Sequence, residues 1–322
     1  MPDPIRIVAN PFSGGGRAGR LARRVADRLR RRGRVVDLHE TRFAGDARRC
    51  AAEARGCAAI GCGGGDGTVN EVVNGLPETG APPLFMIPGG TANVLAKELR
   101  LPRCAEGVAR VVAEGRSVAW DLGRECGSGR RFLLFAGAGY DAHVVHAFHA
   151  ARRRPAGVAS GSFWNMARYV LWGLKSILGY PIPRIAVALD GVALTRDAAW
   201  VHVANVASYG GPLVFTPRAR PDDGRFEVLV QHARRHRDIL RLFWAALVAR
   251  LFGRMPRMRD VTFHAARRVR LESADGRPVP VEVDGDPGGF LPAEFEILPG
   301  AVRILAPATG RTARSSCGAS SG

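Results

Sequence analysis

The chain has 322 residues, 46% of them apolar, and a formal net charge of +18. That length and apolar content exclude a disordered chain and allow two ordinary domains, each with its own core. Only Lys97 and Lys175 among the 47 basic Lys and Arg side chains are lysine, so the charge reflects an arginine-rich composition as much as a selected partner, while still attracting anionic ligands and surfaces.

Taken in order, residues 5–9 read as a first strand, followed by the turn Asn10-Pro11-Phe12-Ser13-Gly14-Gly15-Gly16. Residues 21–31 form an amphipathic helix with an arginine face, 35–39 a strand and 46–55 a helix. Residues 58–62 are a buried strand that runs into Gly63-Gly64-Gly65-Asp66-Gly67-Thr68-Val69-Asn70-Glu71. Residues 71–74 are then helical, with Gly75 as the stop. A strand at 84–87 ends in Pro88-Gly89-Gly90-Thr91-Ala92-Asn93, and a helix follows over 94–99. Alternating strands and helices imply a parallel sheet covered on both faces. Glycine-rich loops leave at least three strand C-terminal ends, which is where open α/β sheets bind ligands.

Near residue 120 the pattern changes. Short strands are expected over 120–123, 132–136, 185–189, 199–207, 226–231, 261–263, 269–272, 279–284 and 302–305. Turn signals such as Asp190-Gly191, Asp223-Gly224 and Asp275-Gly276 separate many of them. Two helical insertions interrupt this β-rich part, around 140–180 and 237–252. The expected organisation is 1–120, an α/β domain; 121–307, a β-rich domain; and 308–322, a disordered tail.

The six cysteines make no C-x-x-C pair and fit neither a zinc site nor a disulfide framework, so reduced thiols in a cytoplasmic setting are expected. No signal peptide is evident. The longest apolar stretches, 169–182 and 239–252, are broken by Lys175, Arg241 and Arg250 and fall short of the ~20 residues that span a bilayer. Any membrane contact is therefore peripheral. The 239–252 helix carries Trp244 and Phe252 and has His236, Arg237, Arg254 and Arg257 at its flanks, a composition that suits either an anionic membrane surface or the cover of a sheet. No zinc-finger, helix-turn-helix or RNA-binding aromatic pattern is present, so nucleic acid is not an expected partner.

A strand, a glycine-rich turn and a helix N-terminus together make an anion site: N–H groups point into the turn, and missing Cβ atoms let a phosphate approach. Asp66 would repel phosphate there, so it is expected to act through Mg²⁺ or on a substrate hydroxyl. Asp284-Gly285-Asp286 is a tight turn from which two carboxylates can face a cleft, or an ordinary hairpin turn. His143, His146 and His149 recur every three residues, which suits a solvated or membrane-facing helix face better than a metal site.

Asn10-Pro11-x-Ser13-Gly14, Gly64-Gly65-Asp66-Gly67-Thr68-x-Asn70-Glu71-Val72-x-Asn74-Gly75 and Pro88-x-Gly90-Thr91-Ala92-Asn93-x-x-Ala96 occur in that order. Gly137-x-Gly139-x-Asp141-Ala142, Asn205, Gly210-Gly211, Pro217-x-Ala219, Asp222-Asp223-Gly224 and Asp284-Gly285-Asp286 follow. This series resembles the diacylglycerol kinase catalytic family, which includes sphingosine and ceramide kinases. Its size and layout are similar to those of the small bacterial lipid kinases. The resemblance implies a phosphofructokinase/NAD-kinase-like α/β domain followed by a β-sandwich, with ATP in the cleft between them.

By that resemblance, Gly64, Gly65, Asp66, Gly67, Thr68, Asn70 and Glu71 hold the ATP phosphates. Gly90, Thr91 and Asn93 add contacts, Asn10 and Ser13 lie beside them, and Thr41 matches a nucleotide-contacting position. Asp66 holds Mg²⁺. The general base is expected at Asp286, where the family carries Glu, with Asp284 able to take the role. Asp223, with backbone oxygens of Arg220 and Arg225, matches a second, structural Mg²⁺ site. Asp121 is a secondary candidate near the active site.

The implied function is ATP- and Mg²⁺-dependent phosphorylation of a membrane lipid hydroxyl at an anionic inner membrane face; a homodimer is compatible with it. Diacylglycerol, monoacylglycerol, a sphingoid base, phosphatidylglycerol and polyprenol all suit as acceptors. Two alternatives stand beside this reading. One is a NAD kinase, which shares the Gly-Gly-Asp-Gly-Thr turn. The other is a catalytically weak nucleotide-binding regulator, suggested by Asp286 in place of Glu and by Ala136 and Gly137 where many relatives carry Asn.

Overall fold

The computed structural model describes residues 3–152, 173, 177, 179–210 and 213–308. Most of the expected 140–180 insertion beyond residue 152, Gly211 of the expected Gly-Gly pair, and the expected tail apart from Ala308 lie outside these residues. The chain divides into two compact units, one of residues 1–120 with 300–322 and one of residues 121–299.

The first unit alternates strand and helix. Its elements are β1 (Ile5–Ala9), α1 (Arg17–Arg31), β2 (Val36–Glu40), α2 (Asp46–Ala52), β3 (Ala59–Gly64), α3 (Asp66–Gly75), β4 (Leu84–Pro88), α4 (Val94–Glu98) and α5 (Ala105–Glu114). The strands run parallel in the order β2-β1-β3-β4. Helix α1 shows why. Ala18, Ala22, Val25, Ala26 and Leu29 recur at helical spacing and are buried, while the arginines between them face outward. Ala22, Val25, Ala26 and Leu29 form one core with Ile5, Ile7, Phe85, Ile87, Val108 and Ala109. Burying Leu29 fully contributes about 1.5–3 kcal/mol.

Element ends differ from expectation in one way that matters. The glycine run 63–65 is not all turn: Gly63 and Gly64 are buried strand residues of β3, and α3 begins at Asp66, so Gly65 alone links them. Asp66 is thus the first residue of a helix, and Gly67 and Thr68 lie in its first turn.

A long strand, β5 (Arg116–Glu125), carries the chain into the second unit. It continues through β6 (Arg131–Phe132), β7 (Phe135–Ala138), α6 (Tyr140–Arg152), β8 (Ile185–Leu189), β9 (Val192–Ala198), β10 (Trp200–Ala204), β11 (Ser208–Tyr209) and β12 (Leu213–Val214). Then come β13 (Phe226–Gln231), α7 (His236–Phe252), β14 (Val261–Ala266), β15 (Arg268–Ser273), β16 (Pro280–Val283), β17 (Asp286–Phe290) and β18 (Ala293–Ala306). One antiparallel sheet has the order β14-β13-β10-β7-β16-β17; β9-β8-β15-β18 forms the other, with β5 beside β18 and β6 beside β5. Their inner faces supply the core, including Phe132, Val201, Val203, Phe226, Val228, Val269, Leu271 and Phe295.

The expected second domain runs to 307, whereas the second compact unit ends at residue 299. Strand β18 pairs antiparallel with β15 at residues 293–296, but its far end pairs parallel with β4, Ile304 opposite Leu84. Residues 300–306 group with the first unit through that pairing.

Candidate active site

In the first unit three loops converge at the C-terminal ends of parallel strands. The Asn10 N–H donates to the Gly63 carbonyl at 2.8 Å, and the N–H groups of Gly89 and Gly90 donate to the Gly64 carbonyl at 2.9 and 3.1 Å. Glycine is required where the loops meet. Gly14 is left-handed, φ +60, and a Cβ there would fall on the Gly89 carbonyl oxygen. A Cβ on Gly65 would lie 3.1 Å from the Gly90 Cα, with Ser13 Oγ at 3.9 Å. The contact is backbone on backbone, which leaves N–H groups unshielded by side chains beside a helix N-terminus.

Side chains lock this geometry. Asn93, left-handed and buried, accepts the Gly90 N–H through Oδ1 at 2.9 Å and donates from Nδ2 to the Gly90 carbonyl at 2.7 Å. Asn10 Oδ1 accepts the Phe12 N–H at 3.0 Å, and the Ser13 N–H donates to the Asn10 carbonyl at 3.2 Å. Thr68 is buried against Gly64, and Asn70 is buried with its carbonyl and Oδ1 both accepting from Asn74 Nδ2. Thr41 sits one strand over, its N–H donating to the Ala9 carbonyl at 2.8 Å. Thr91 is exposed at the tip of its loop. Glu71 is placed differently from the rest: its Oε2 accepts the Gly45 N–H at 3.0 Å, tying α3 to the loop before α2.

Asp66 joins two of the loops. Its Oδ2 accepts the Val94 N–H at 3.1 Å and its Oδ1 the Leu95 N–H at 3.3 Å, so it caps α4 from a distance. Burial pushes its carboxyl above the ordinary value, against the opposing pull of those two N–H groups and of Lys97. Each oxygen accepts one hydrogen bond and keeps further lone-pair capacity.

In the second unit the turn between β16 and β17 holds the other two carboxylates, and they are unlike each other. Asp284 is left-handed, φ +50. Its oxygens accept three N–H groups, from Leu133 at 2.9 Å, Leu134 at 2.9 Å and Phe135 at 3.2 Å. Asp286 is half-exposed, with Arg130 Nη2 at 2.8 Å and His149 Nε2 at 3.6 Å. The His143, His146 and His149 series is therefore not one solvated face: His146 Nε2 contacts the Val281 carbonyl at 2.8 Å, and His143 packs on the Tyr180 ring. Arg130 had no sequence signal, and His149 stood out only as part of the histidine series, because each meets Asp286 only through strand pairing and helix packing.

The 220–225 turn is anchored by Asp121. This buried residue accepts the Gly224 N–H on Oδ2 at 2.7 Å, and its own N–H donates to the Pro221 carbonyl. Asp223 is exposed and accepts the Arg225 N–H at 3.1 Å, while the Arg220 side chain pairs with Asp222. Asn205 Nδ2 donates to the carbonyls of Asp121 and Leu133 at 2.7 and 2.8 Å, which binds these segments together.

Residues 4–124 match the diacylglycerol kinase catalytic domain, and residues 135–306 match the YegS C-terminal NAD kinase beta sandwich-like domain. A Mycobacterium tuberculosis protein named diacylglycerol kinase is 31% identical over 316 residues, covering 95% of this chain and 96% of that one. A Bacillus subtilis protein of the same name is 28% identical over 308 residues, covering 94% and 96%. The crystal structure of a diacylglycerol kinase from Bacillus anthracis has the same fold, with a TM-score of 0.69 at 20% identity over 94% of this chain and 97% of that one. No described helix is long and apolar enough to cross a membrane.

Proposed function

Because the chain belongs to the diacylglycerol kinase catalytic family and is a lipid kinase, we propose that it transfers the γ-phosphoryl group of ATP, with Mg²⁺, to a hydroxyl of a diacylglycerol-like lipid at an anionic membrane surface. The observation that carries this reading is the backbone-on-backbone meeting of the Gly14, Gly65 and Gly89-Gly90 loops, where a Cβ on Gly14 would strike the Gly89 carbonyl and one on Gly90 the Gly65 backbone. Gly64, Gly65, Gly67, Thr68 and Asn70 bind the phosphates from one side and Gly90, Thr91 and Asn93 from another. Asn10, Ser13 and Thr41 border them.

Asp66 fits a Mg²⁺ ligand, because its carboxylate is braced by two N–H groups and retains oxygen lone pairs. When bound, the metal neutralises charge on the phosphate oxygens of ATP. Asp223 with the carbonyls of Arg220 and Arg225 would supply an all-oxygen donor set of the kind a second Mg²⁺ takes. The Asp284–Asp286 turn accepts the lipid hydroxyl proton, a role that suits the half-exposed Asp286 better than the thrice-bonded Asp284. Arg130 orients Asp286, and Asp284 fixes the turn through its three N–H contacts.

Helix α7 suits the membrane contact. Leu240, Trp244, Leu247 and Leu251 recur along one side and are exposed, Trp244 by 66% and Leu251 by 71%. Exposed Arg237, Arg250 and Arg254 accompany them, so the face combines apolar insertion with attraction to anionic headgroups.

The test is label transfer from γ-labelled ATP, with Mg²⁺, into diacylglycerol carried in phosphatidylglycerol vesicles, with NAD as a parallel acceptor. Labelled lipid supports the proposal. Label in NADP alone, or tight ATP binding without label in either acceptor, overturns it.

A further inference from the structure

Three buried polar side chains of the second unit meet with no role in the reading above. Strands β10, β7 and β16 are neighbours, and one row across them reads His202, Gly137, Glu282. Side chains in one row share a face. Adjacent strands are about 4.8 Å apart, so His202 and Glu282 are roughly 10 Å apart at the backbone. Gly137 between them has no side chain, and His202 and Glu282 reach toward each other over it. Asp141, in the first turn of α6, enters the same space.

Asp141, His202 and Glu282 each offer one ligand atom, and these atoms all lie within 4.8 Å of one another. The residues are 2%, 1% and 0% exposed. Asp141 Oδ2, His202 Nδ1 and Glu282 Oε1 have no hydrogen-bond partner, although Asp141 Oδ2 and His202 Nδ1 are 3.6 Å apart. The other oxygens are engaged: Asp141 Oδ1 accepts the Ala142 N–H at 2.7 Å, and Glu282 Oε2 accepts the Gly285 N–H at 2.8 Å. The unpartnered atom of each residue is therefore the one left to serve as its ligand atom.

Proteins rarely bury polar atoms unpaired, and two unneutralised carboxylates in one dry space repel each other. His39, Asp46 and Cys50 lie equally close together, but Asp46 is already satisfied by His39 at 3.0 Å, Arg49 at 2.8 Å and the Arg42 N–H at 3.0 Å.

We propose that Asp141 Oδ2, His202 Nδ1 and Glu282 Oε1 bind one divalent cation of the Mn²⁺ or Zn²⁺ class. Two carboxylate oxygens and an imidazole nitrogen form a donor set for these ions, and their charges balance. Glu282 connects the ion to the turn, since its second oxygen holds the Gly285 N–H between Asp284 and Asp286. The cation is a positioning element, separate from any metal that accompanies ATP, and the inference stands on the cluster alone.

The test uses the nucleotide-free full chain, stripped with chelator, loaded with MnCl₂ or ZnCl₂ and desalted. Elemental analysis should find about one equivalent retained by the wild type and little by His202→Gln or Asp141→Asn, with a metal-dependent rise in Tm only in the wild type. Crystals of the loaded wild type should give an anomalous peak between the three residues, a readout independent of whether the variants fold. Equal retention by wild type and variants, or density at the centre without anomalous signal, as a water would give, overturns the proposal.

Discussion

Replacing Asp66 separates two roles that its position combines. Its carboxylate accepts the N–H groups of Val94 and Leu95 at 3.1 and 3.3 Å, so Asp66→Ala removes two hydrogen bonds and the distant cap of α4. Losing the cap costs about 1 kcal/mol, and orphaning the two N–H groups where water cannot replace the carboxylate adds roughly 1–2 kcal/mol in all. A total of about 2–3 kcal/mol lowers Tm by about 4–12 °C in a chain with units of this size. Asp66→Asn keeps one acceptor oxygen and nearly the same shape, so about half of that loss is expected. Its charge, however, is gone. If the carboxylate holds Mg²⁺ against the phosphates, Asp66→Asn lowers kcat at least 100-fold, about 2.7 kcal/mol of transition-state stabilisation, while Tm falls only a few degrees. Scanning calorimetry and label transfer across a Mg²⁺ titration measure the two effects. Full turnover with an unchanged Mg²⁺ dependence in Asp66→Asn would refute the metal role and leave Asp66 as a cap.

Gly90→Ala places a Cβ against the Gly65 backbone, an overpacking cost of about 1–3 kcal/mol, and should raise the KM for ATP at least tenfold; an unchanged KM would mean that the loops do not hold the nucleotide. Asp284→Asn leaves an amide where three N–H groups converge and should cost about 1–3 kcal/mol of stability in urea titrations. Asp286→Asn should instead spare stability and lower kcat by about 100-fold or more; the reverse pattern would move the base to Asp284. Asp46 is held below the ordinary carboxylate value, first by His39 and then by Arg49 and the Arg42 N–H. A depressed folded-state pKa contributes stability above the unfolded value near pH 4, and that contribution is lost progressively as pH falls from there through the folded-state value. The Tm gap between wild type and Asp46→Asn should hold near neutrality and narrow progressively below about pH 4; a gap unchanged at pH 2 would contradict that.

Much of the cradle was legible because glycine carries its reason with it. A run such as Gly63-Gly64-Gly65 after a buried strand has few explanations other than close backbone approach, and the structure puts Gly65 on Gly90. The ends of the elements were less legible. Gly63 and Gly64 extend β3 because strand pairing with β4 outweighs their weak intrinsic preference, the Gly64 row lying opposite Pro88. Glu71 looked like its neighbours in the motif, yet helical spacing turns it toward Gly45, which no local pattern announces. The partners of Asp286 were equally hidden. Arg130 comes from the β5–β6 region, 156 positions away in sequence, and His149 from a histidine series whose spacing suggested a solvated face.

The sequence by itself determined the order of the elements, the two-domain grammar, and the residue types at each loop, because hydrophobic period, glycine placement and turn chemistry act over a few residues. Tertiary structure alone decided which of those residues meet. It gave Asp284 three backbone donors and Asp286 a salt bridge, although one glycine separates them. It also paired the far end of β18 with β4 and set His202 and Glu282 in one row on either side of Gly137. Those pairings depend on strand register, which is fixed by the burial of whole sheet faces rather than by any local segment.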